Sequence, residues 1–372
     1  MDCNPIFVSK VRRIICVFTL LITFLFGAEA YSQTDTTVAR SEIAVQESAA
    51  ETGSHGAHGE EEFDPTKVVM DHINDSHTWH VVGHLSIPLP VILYTDKGLD
   101  IFSSGHFHHG EADYSTNKYT YRLVEGEIKV VGNDGSIDEA SSGKLWDFSI
   151  TKNVAAMLFS VVVLLIVFLS VASAYKKRVG KAPKGLQSFL EPIILFVRDD
   201  IARPNIGHKF ARFMPYLLTL FFFIWINNVL GLVPAFPGGA NLTGNIAVTF
   251  VLALITLIIV NVNGNRYYWK HILRPDVPWW LYPIMLLVEL IGIISKPFAL
   301  MIRLFANMIA GHIIVLSLIS LIFIFQTLAV APVSIAFVLF MYILELLVGF
   351  LQAFIFTLLT ALFIGMAIEE HH

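Results

Sequence analysis

Long apolar runs separated by short polar segments dominate the second half of the chain. The runs predict membrane-spanning helices over residues 150–175, 210–232 and 244–262, since ~20 apolar residues cross the ~30 Å hydrocarbon core of a bilayer. Two longer helices are predicted over 282–327 and 333–368. At 1.5 Å per residue these are about 69 and 54 Å long, so each must bend or lie at a steep tilt, shaped by contact with a protein partner.

A different pattern occurs over residues 184–207. Apolar residues recur there at helical spacing, but Glu191, Arg198, Asp199 and Asp200 interrupt them. These charges are too many for a spanning helix, so the segment is predicted to lie along the membrane surface. The predicted fold class is therefore an all-α polytopic membrane protein with five transmembrane helices and one interfacial amphipathic helix.

The first 30 residues are typical of a secretory signal peptide. Basic residues between positions 10 and 13 precede an apolar run at 14–27, and a small-x-small cleavage site follows at 28–30. A short first transmembrane helix is the alternative, but the run is too short to cross a bilayer comfortably. Residues 1–30 are thus predicted to be removed, leaving the mature N-terminus outside the cytoplasm.

The segment 31–148 divides into two parts. Residues 31–66 are polar and acidic, which predicts a disordered linker. Residues 78–148 hold short apolar runs broken by Asp-Lys-Gly, Ser-Gly and Asn-Asp-Gly turn signals, which predict a small β-rich or mixed folded unit. The membrane domain is expected to follow over 149–372.

Composition and charge agree with this division. The chain is 55% hydrophobic and only 15% charged, with a mean hydropathy of +0.65, which excludes a single water-soluble domain. Residues 31–148 hold 20 acidic and 7 basic residues, whereas 149–372 hold 15 basic and 8 acidic. The outer part has no basic cluster, so no nucleic-acid partner is expected.

The positions of the basic residues predict the orientation in the membrane. Basic clusters at 176–178 and 266–274 alternate with a loop at 233–243 that has no Lys or Arg. Because basic loops stay in the cytoplasm, the N-terminus is expected outside and the C-terminus inside a bacterial inner membrane.

Nine of the fourteen histidines lie before the membrane domain. They are His55, His58, His72, His77, His80, His84, His106, His108 and His109. Their spacing matches no closed tetrahedral metal site, so a solvated His-rich surface is preferred to a metal site. Both cysteines, Cys3 and Cys16, lie within the first 16 residues, which excludes a disulfide framework. No metal or cofactor is predicted.

Five residues of the last two helices can carry charge: Glu289, Lys296, Arg303, His312 and Glu345. An Arg at mid-membrane is disfavoured by ~2.5–3.5 kcal/mol and marks a functional site by default. Lys296 is interpreted as a residue that extends to the inner membrane boundary.

Helical spacing sorts the polar residues of these helices into faces. Arg303 and Asn307 share one face with small residues, which allow another helix to approach closely. His312 points the opposite way, toward the chain's own interior. Glu345 and Gln352 are seven residues apart and share a face of the last helix. Simpler readings are interhelical hydrogen bonding for Asn307 and Gln352, and a static His312–Glu345 pair.

Three stretches resemble one known family. Residues 295–311 read SKPFALMIRLFANMIAG, residues 228–234 read NVLGLVP, and residues 351–356 read LQAFIF. Together with the hydropathy pattern they are similar to the a-subunit family of F-type ATP synthases, over about residues 145–372. The outer segment 31–144 is longer than is usual in that family.

The resemblance implies a non-catalytic stator subunit, with 149–372 as its proton-channel domain. Its partners would be a c-subunit ring, a b-subunit stalk, the rest of the ATP synthase complex and the lipid bilayer. Protons would be the transported species. The chain has no phosphate-binding loop of Walker type, so it is not expected to hydrolyse ATP itself.

The resemblance also assigns roles to residues. Arg303 matches the essential arginine, which would couple proton translocation to rotation, and Glu289, Asn307 and Gln352 match polar positions along the proton path. Family members commonly carry Glu nine residues after the arginine and His on the last helix. Here the two are exchanged, as His312 and Glu345, either of which would accept the proton first.

Two other functions would also account for part of this pattern. A secondary cation transporter or proton antiporter would also bury charges at mid-membrane, but usually shows internal repeats, and none is visible here. A membrane-anchored metal-binding protein would explain the histidines but not Arg303.

Overall fold

The computed structural model describes residues 75–369, except 83–84, 111, 125, 133, 178–180, 234–238, 275–276 and 326–329. The expected signal peptide, the expected linker and His55, His58, His72 and His84 lie outside the described residues.

Short strands form the part of the chain before the first long helix. They are β1 Thr78–Val82, β2 Leu85–Pro88, β3 Pro90–Thr95, β4 Gly98–Ser103, β5 Tyr114–Ser115, β6 Thr120–Val124, β7 Glu127–Val131 and β8 Trp146–Asp147. They pair antiparallel in three sheets, in the orders β1-β2, β4-β3-β8 and β5-β6-β7. A 3-10 helix, Ser104–Gly110, and a short helix α1, Glu139–Ser142, complete this unit, which is called the outer unit because the sequence predicts it outside the cytoplasm.

Turn chemistry and alternation explain the hairpins of the outer unit. Gly98 has a φ of 106° at the turn between β3 and β4, a conformation that residues with a Cβ rarely adopt. Val91 and Leu93 alternate inward along β3 and pack with Phe107 and Tyr121 in a buried core.

Eight α-helices follow in the described part of the chain. They are α2 Lys152–Lys177, α3 Leu186–Phe196, α4 Arg203–Ile206, α5 Phe210–Leu232, α6 Ile246–Val262, α7 Arg266–Leu273, α8 Tyr282–Phe325 and α9 Ala331–Ile368. A π-helix, Val197–Ala202, joins α3 to α4, and single 3-10 turns lie at Gly207–Lys209 and Leu242–Gly244.

The prediction of a mostly helical, multi-pass chain is confirmed. Within the described ranges, four helical stretches are long and apolar enough to cross a membrane: Lys152–Lys177, Leu186–Leu232, Tyr282–Phe325 and Ala331–Ile368. A fifth is counted if α6 and α7, bent by 103° relative to each other, form one span.

Local chemistry sets two helix boundaries, one at the start of α6 and one between α4 and α5. The side chain of Asn245 accepts a hydrogen bond from the Ala247 amide and caps the start of α6. Gly207 has a φ of 67°, which interrupts the helical chain between α4 and α5.

Helices α5 and α9 form the centre of the membrane domain. Phe221 of α5 is fully buried and contacts Phe350 of α9 edge to face, with ring centroids 5.7 Å apart. Gly365 of α9 lies against the carbonyl oxygen of Asn205, where a Cβ atom would clash. The small residue therefore lets α9 pack directly on the segment before α5.

The outer unit is attached to the start of α2. The Lys152 amide donates to the Ser76 carbonyl at 2.8 Å, and the Asn153 amide donates to the Asp75 carboxylate at 3.1 Å. Trp79 also packs near Ala240 of the loop between α5 and α6. The outer unit thus contacts the membrane domain at two places.

Candidate functional site

Arg303 lies on an exposed face of α8. Asn307 and the small residues Ala306 and Ala310 are exposed on the same face, whereas Leu304 is fully buried on the other side. The i, i+4 spacing of a helix places Arg303 and Asn307 one turn apart. The face therefore combines a permanent charge with a shallow surface that another helix can approach.

Gln352 joins the last helix to α8 at the position of this arginine. Its side chain is buried, and its Nε2 atom donates to the Arg303 carbonyl oxygen at 3.3 Å. A buried amide needs such a partner, because an unpaired polar group in an apolar interior is destabilising. Gln352 thus fixes α9 to the backbone of α8 at Arg303.

His312 and Glu345 form the second group of polar residues. The Nδ1 atom of His312 lies 3.6 Å from Oε1 of Glu345, and both side chains are nine-tenths buried. Nδ1 also lies 3.1 Å from the Met308 carbonyl oxygen, and Nε2 lies 3.3 Å from that of Gly231. Oxygen acceptors therefore surround both nitrogens of the ring.

Hydrogen-bond chemistry limits what the ring can satisfy at once. A carbonyl oxygen only accepts, so each ring nitrogen that bonds one must donate an N–H group, and a neutral imidazole has a single N–H. A neutral His312 ring can therefore donate to only one of the Met308 and Gly231 carbonyl oxygens.

Gly311 provides the space for the carboxylate of Glu345. A Cβ atom at this position would overlap Oε1 of Glu345 and lie 3.0 Å from its Cδ atom. The same Oε1 atom is buried without a hydrogen-bond partner in the described part of the chain. The glycine thus determines where the carboxylate sits beside His312.

A polar link that the sequence analysis missed holds α9 next to this pair. The Asn228 side chain donates to the Gly349 carbonyl oxygen at 3.0 Å and accepts from the Thr243 hydroxyl at 2.7 Å. Asn228 and Gly311 both lie within the stretches that carry the family resemblance, and this is the one sequence feature that marks them as candidate functional residues. No sequence feature marks Thr243 in this way.

Glu289 lines a cleft near the other end of α8. The cleft has a volume of about 370 Å³, and its lining includes Glu289, His271, Lys296, Asn261, Tyr268 and Glu369. The Nδ1 atom of His271 lies 3.9 Å from Oε1 of Glu289. Lys296, expected to extend to the membrane boundary, has its Nζ atom 5.6 Å from the centre of the Phe363 ring.

Arg303 lies between these two polar regions. Glu289 comes 14 residues before it and His312 nine residues after it on the same helix. At 1.5 Å per residue the separations along the axis are about 21 Å and 14 Å. The structure therefore brings His312 and Glu345 together and Gln352 to the backbone of Arg303, and keeps Glu289 apart from both.

The outer histidines form no metal cluster among the described residues. His77 is buried, and its Nε2 atom lies 3.3 Å from the Asp147 carboxylate. The ring of His106 stacks on Tyr114 with centroids 4.4 Å apart.

Comparison with known sequences adds two family matches. Residues 155–365 match the family described as ATP synthase A chain. Residues 68–148 match a family described as Domain of unknown function (DUF8433), so the outer unit is a recurring module.

Curated relatives carry the name of one subunit. The chain is 48% identical over 235 residues to ATP synthase subunit a of Chloroherpeton thalassium, covering 61% of this chain and 69% of the relative. It is 36% identical over 381 residues to ATP synthase subunit a of Chlorobium phaeobacteroides (strain DSM 266 / SMG 266 / 2430), covering 98% and 95%. With the protein of that name from Myxococcus xanthus it shares 44% identity over 233 residues, 61% of this chain and 75% of the relative.

Proposed function

Because the chain belongs to the ATP synthase A chain family, we propose that the exposed Arg303 face of α8 is the stator surface past which a ring of c subunits turns. Membership makes it a non-catalytic, proton-translocating subunit of the membrane sector, associated with the rest of the ATP synthase complex. The observation that carries the proposal is the position of Arg303, exposed between two polar regions on opposite sides along the same helix.

The charge of Arg303 supplies the coupling step. A carboxyl group on a rotating c subunit can face lipid only when it is neutral, since a bare charge there is unfavourable. Next to the guanidinium, which stays protonated, the carboxyl group gives up its proton. Asn307, one turn further along the same face, lies beside that carboxyl group as it passes.

His312 and Glu345 are the outer half-channel in this proposal. Their nine-tenths burial and their 3.6 Å contact make a pair that takes a proton from the outer side and passes it to the c ring. Gln352 lies seven residues after Glu345 on α9, and its bond to the Arg303 carbonyl supports its place between the inlet and the arginine.

The cleft beside Glu289 is the inner half-channel. Its volume of about 370 Å³ is large enough for several water molecules, and Glu289, His271 and Glu369 provide groups that bind and release protons. Arg303 separates this cleft from His312 along α8. A fixed positive charge repels protons, so a proton crosses only while it is bound to a carboxyl group of the rotating c ring.

The membrane potential determines how much free energy each proton contributes to ATP synthesis. One elementary charge that crosses 100 mV contributes about 2.3 kcal/mol, so several protons must pass for each ATP made. Two half-channels that end at different depths ensure that each proton contributes to rotation.

The remaining features complete the proposal. The chain lies in a bacterial inner membrane with five spans, an interfacial segment before α5, its mature N-terminus outside and its C-terminus in the cytoplasm. Residues 1–30 are a cleaved signal peptide, 31–148 an acidic outer segment, and 149–372 the proton-channel domain. A b-subunit stalk holds it still against the ring.

Affinity purification from membranes tests the proposal. The full chain, tagged at its C-terminus, should bring down a ring of small, very hydrophobic c subunits together with the ATP-hydrolysing sector. A chain that purifies without these subunits and exchanges cations alone in vesicles would instead be a secondary transporter, and the proposal would be wrong.

A further inference from the structure

The sheet β4-β3-β8 of the outer unit is apolar on both faces. Val91 and Leu93 of β3 are fully buried on the inner face. The outer face carries large apolar side chains that remain exposed: Tyr94, Leu99, Ile101, Trp146 and Phe148. Ile101 and Trp146 are 64% and 61% exposed, so most of the surface of each residue is accessible.

Strand register places these side chains together. Tyr94 pairs with Leu99 of β4 on one side and with Trp146 of β8 on the other. Ile92 pairs with Ile101, and its carbonyl oxygen accepts a hydrogen bond from the Phe148 amide at 2.8 Å. Directly paired residues point to the same side of a sheet, so the five form one continuous surface, here called the outer sheet face.

Such a surface differs from that of an ordinary solvated sheet. An antiparallel sheet with one wet face alternates apolar and polar residues, whereas strands that are apolar on both sides are typically covered on both. A contiguous exposed apolar patch on a protein marks a contact with another molecule or with a membrane.

The position of the sheet favours lipid as the contact. Strand pairing continues to the Ile150 amide, which donates to the Pro90 carbonyl oxygen at 3.1 Å, two residues before α2 begins at Lys152. Helix α2 has 26 residues. Its length of about 39 Å exceeds the ~30 Å hydrocarbon core and nearly spans the ~40–45 Å of the whole bilayer. The sheet therefore starts at the headgroup level.

The composition of the face fits that depth. Trp and Tyr are enriched at membrane interfaces, where the apolar part of the ring contacts lipid and the polar atom contacts water. Here Tyr94 and Trp146 are direct cross-strand neighbours. The chain's own residues 31–66 are polar and acidic and offer little apolar surface to cover the face.

We infer that the outer sheet face lies on the lipid bilayer at the boundary between headgroups and acyl chains, as a second membrane contact beside the spanning helices. This contact fixes the outer unit on the membrane surface next to α2. It requires only that α2 crosses the bilayer, and is independent of any role of Arg303.

A nitroxide spin label tests the lipid contact. The full chain, with Cys3→Ser and Cys16→Ser, receives a single cysteine by Ile101→Cys, is assembled in the complete complex and is reconstituted in phosphatidylcholine–phosphatidylglycerol vesicles. Ser115→Cys, exposed on β5 of another sheet, is the matched control. Collision rates with oxygen, which enters lipid, and with a polar nickel chelate, which does not, report the surroundings of each label.

The expected ratio of oxygen to nickel collisions is about tenfold higher at position 101 than at 115, because a polar complex is excluded from acyl chains. Leu99→Cys should give the same result as Ile101→Cys. Equal ratios at 101 and 115 would mean that the face is wet. Immobilisation at 101 with protection from both reagents would mean that another subunit covers it. Either outcome overturns the lipid contact and leaves the proton path untouched.

Discussion

The Nδ1 atom of His312 lies 3.6 Å from the Oε1 atom of Glu345, so the two longest helices meet at a pair of ionisable side chains. The two residues are 33 positions apart and on opposite arms of a helical hairpin. A protonated imidazole is positive and an ionised carboxylate is negative, so each side chain is a suitable counter-ion for the other. Removing either partner leaves a buried ionisable group without its counterpart.

Exchanging the two residues tests whether they act as a pair. His312→Glu or Glu345→His alone leaves two acids or two imidazoles in one site, and should lower ATP-driven proton pumping by on the order of tenfold or more. The double exchange restores one acid and one imidazole, and should retain much more pumping than either single variant. Quenching of an acridine dye in inverted vesicles measures this. A double variant no better than the worse single one would show that the residues act separately.

Gly311→Ala should impair pumping without preventing assembly. The added Cβ atom would overlap Oε1 of Glu345 and lie 3.1 Å from its Cγ atom, so the carboxylate must move away from His312. Gly292→Ala is the matched control on the same helix, because a Cβ atom there meets nothing within 4 Å. Adding Glu345→Asp to Gly311→Ala should recover part of the activity, since the shorter side chain relieves the overlap. Equal pumping by the two alanine variants would contradict the assigned position of Glu345.

Much of the fold could be predicted from hydropathy alone. Helix α5 has the bounds predicted for it, 210–232, and α8 begins at its predicted start, Tyr282. The shared face of Arg303 and Asn307 follows from helical geometry. Apolar periodicity suffices for these features because each depends on residues within one segment.

Contacts between distant segments could not be predicted in this way. The Gly231 carbonyl oxygen meets His312 across 81 residues, and Asn228 bonds Gly349 across 121. Both contacts arise from the packing of α5 against α8 and α9. The spacing of residues within a single helix does not predict which helices pack together. The need for glycine at 311 likewise comes from Glu345, on the next helix.

The stability of the outer unit should depend on pH through Asp147. Burial raises the pKa of this carboxyl group, but the hydrogen bonds with His77 and Ser149 outweigh burial and hold it below its ordinary value of 3.8. A lowered pKa in the folded state stabilises the fold above pH ~4, and the contribution is lost as the pH falls through the folded value.

Asp147→Asn checks this dependence. At pH 7 the variant should be less stable by about 1–3 kcal/mol, because an ionised hydrogen-bond acceptor is lost. Between pH 5 and 3 its stability should change less than that of the native chain. Amide hydrogen exchange in β3 and β8 provides the measurement. Parallel pH profiles for the two chains would mean that Asp147 does not contribute.

Cysteine labelling tests the orientation of the chain. Ser115→Cys in the outer unit should react with a membrane-impermeant maleimide added outside intact cells, and Lys270→Cys on α7 should react only after the membrane is opened. Both residues are exposed. Cys3→Ser and Cys16→Ser provide a background without native thiols. The reverse labelling pattern would place the half-channels on the wrong sides.

The most direct test of the proton path is Arg303→Ala in the assembled complex. ATP-driven pumping should vanish, because no fixed cation then discharges the c-ring carboxyl group or separates the two half-channels, while the c ring still co-purifies. Arg212→Ala, which removes another exposed arginine near the start of α5, is the matched control and should keep pumping. Pumping by Arg303→Ala at a rate close to that of Arg212→Ala would contradict the central role of Arg303.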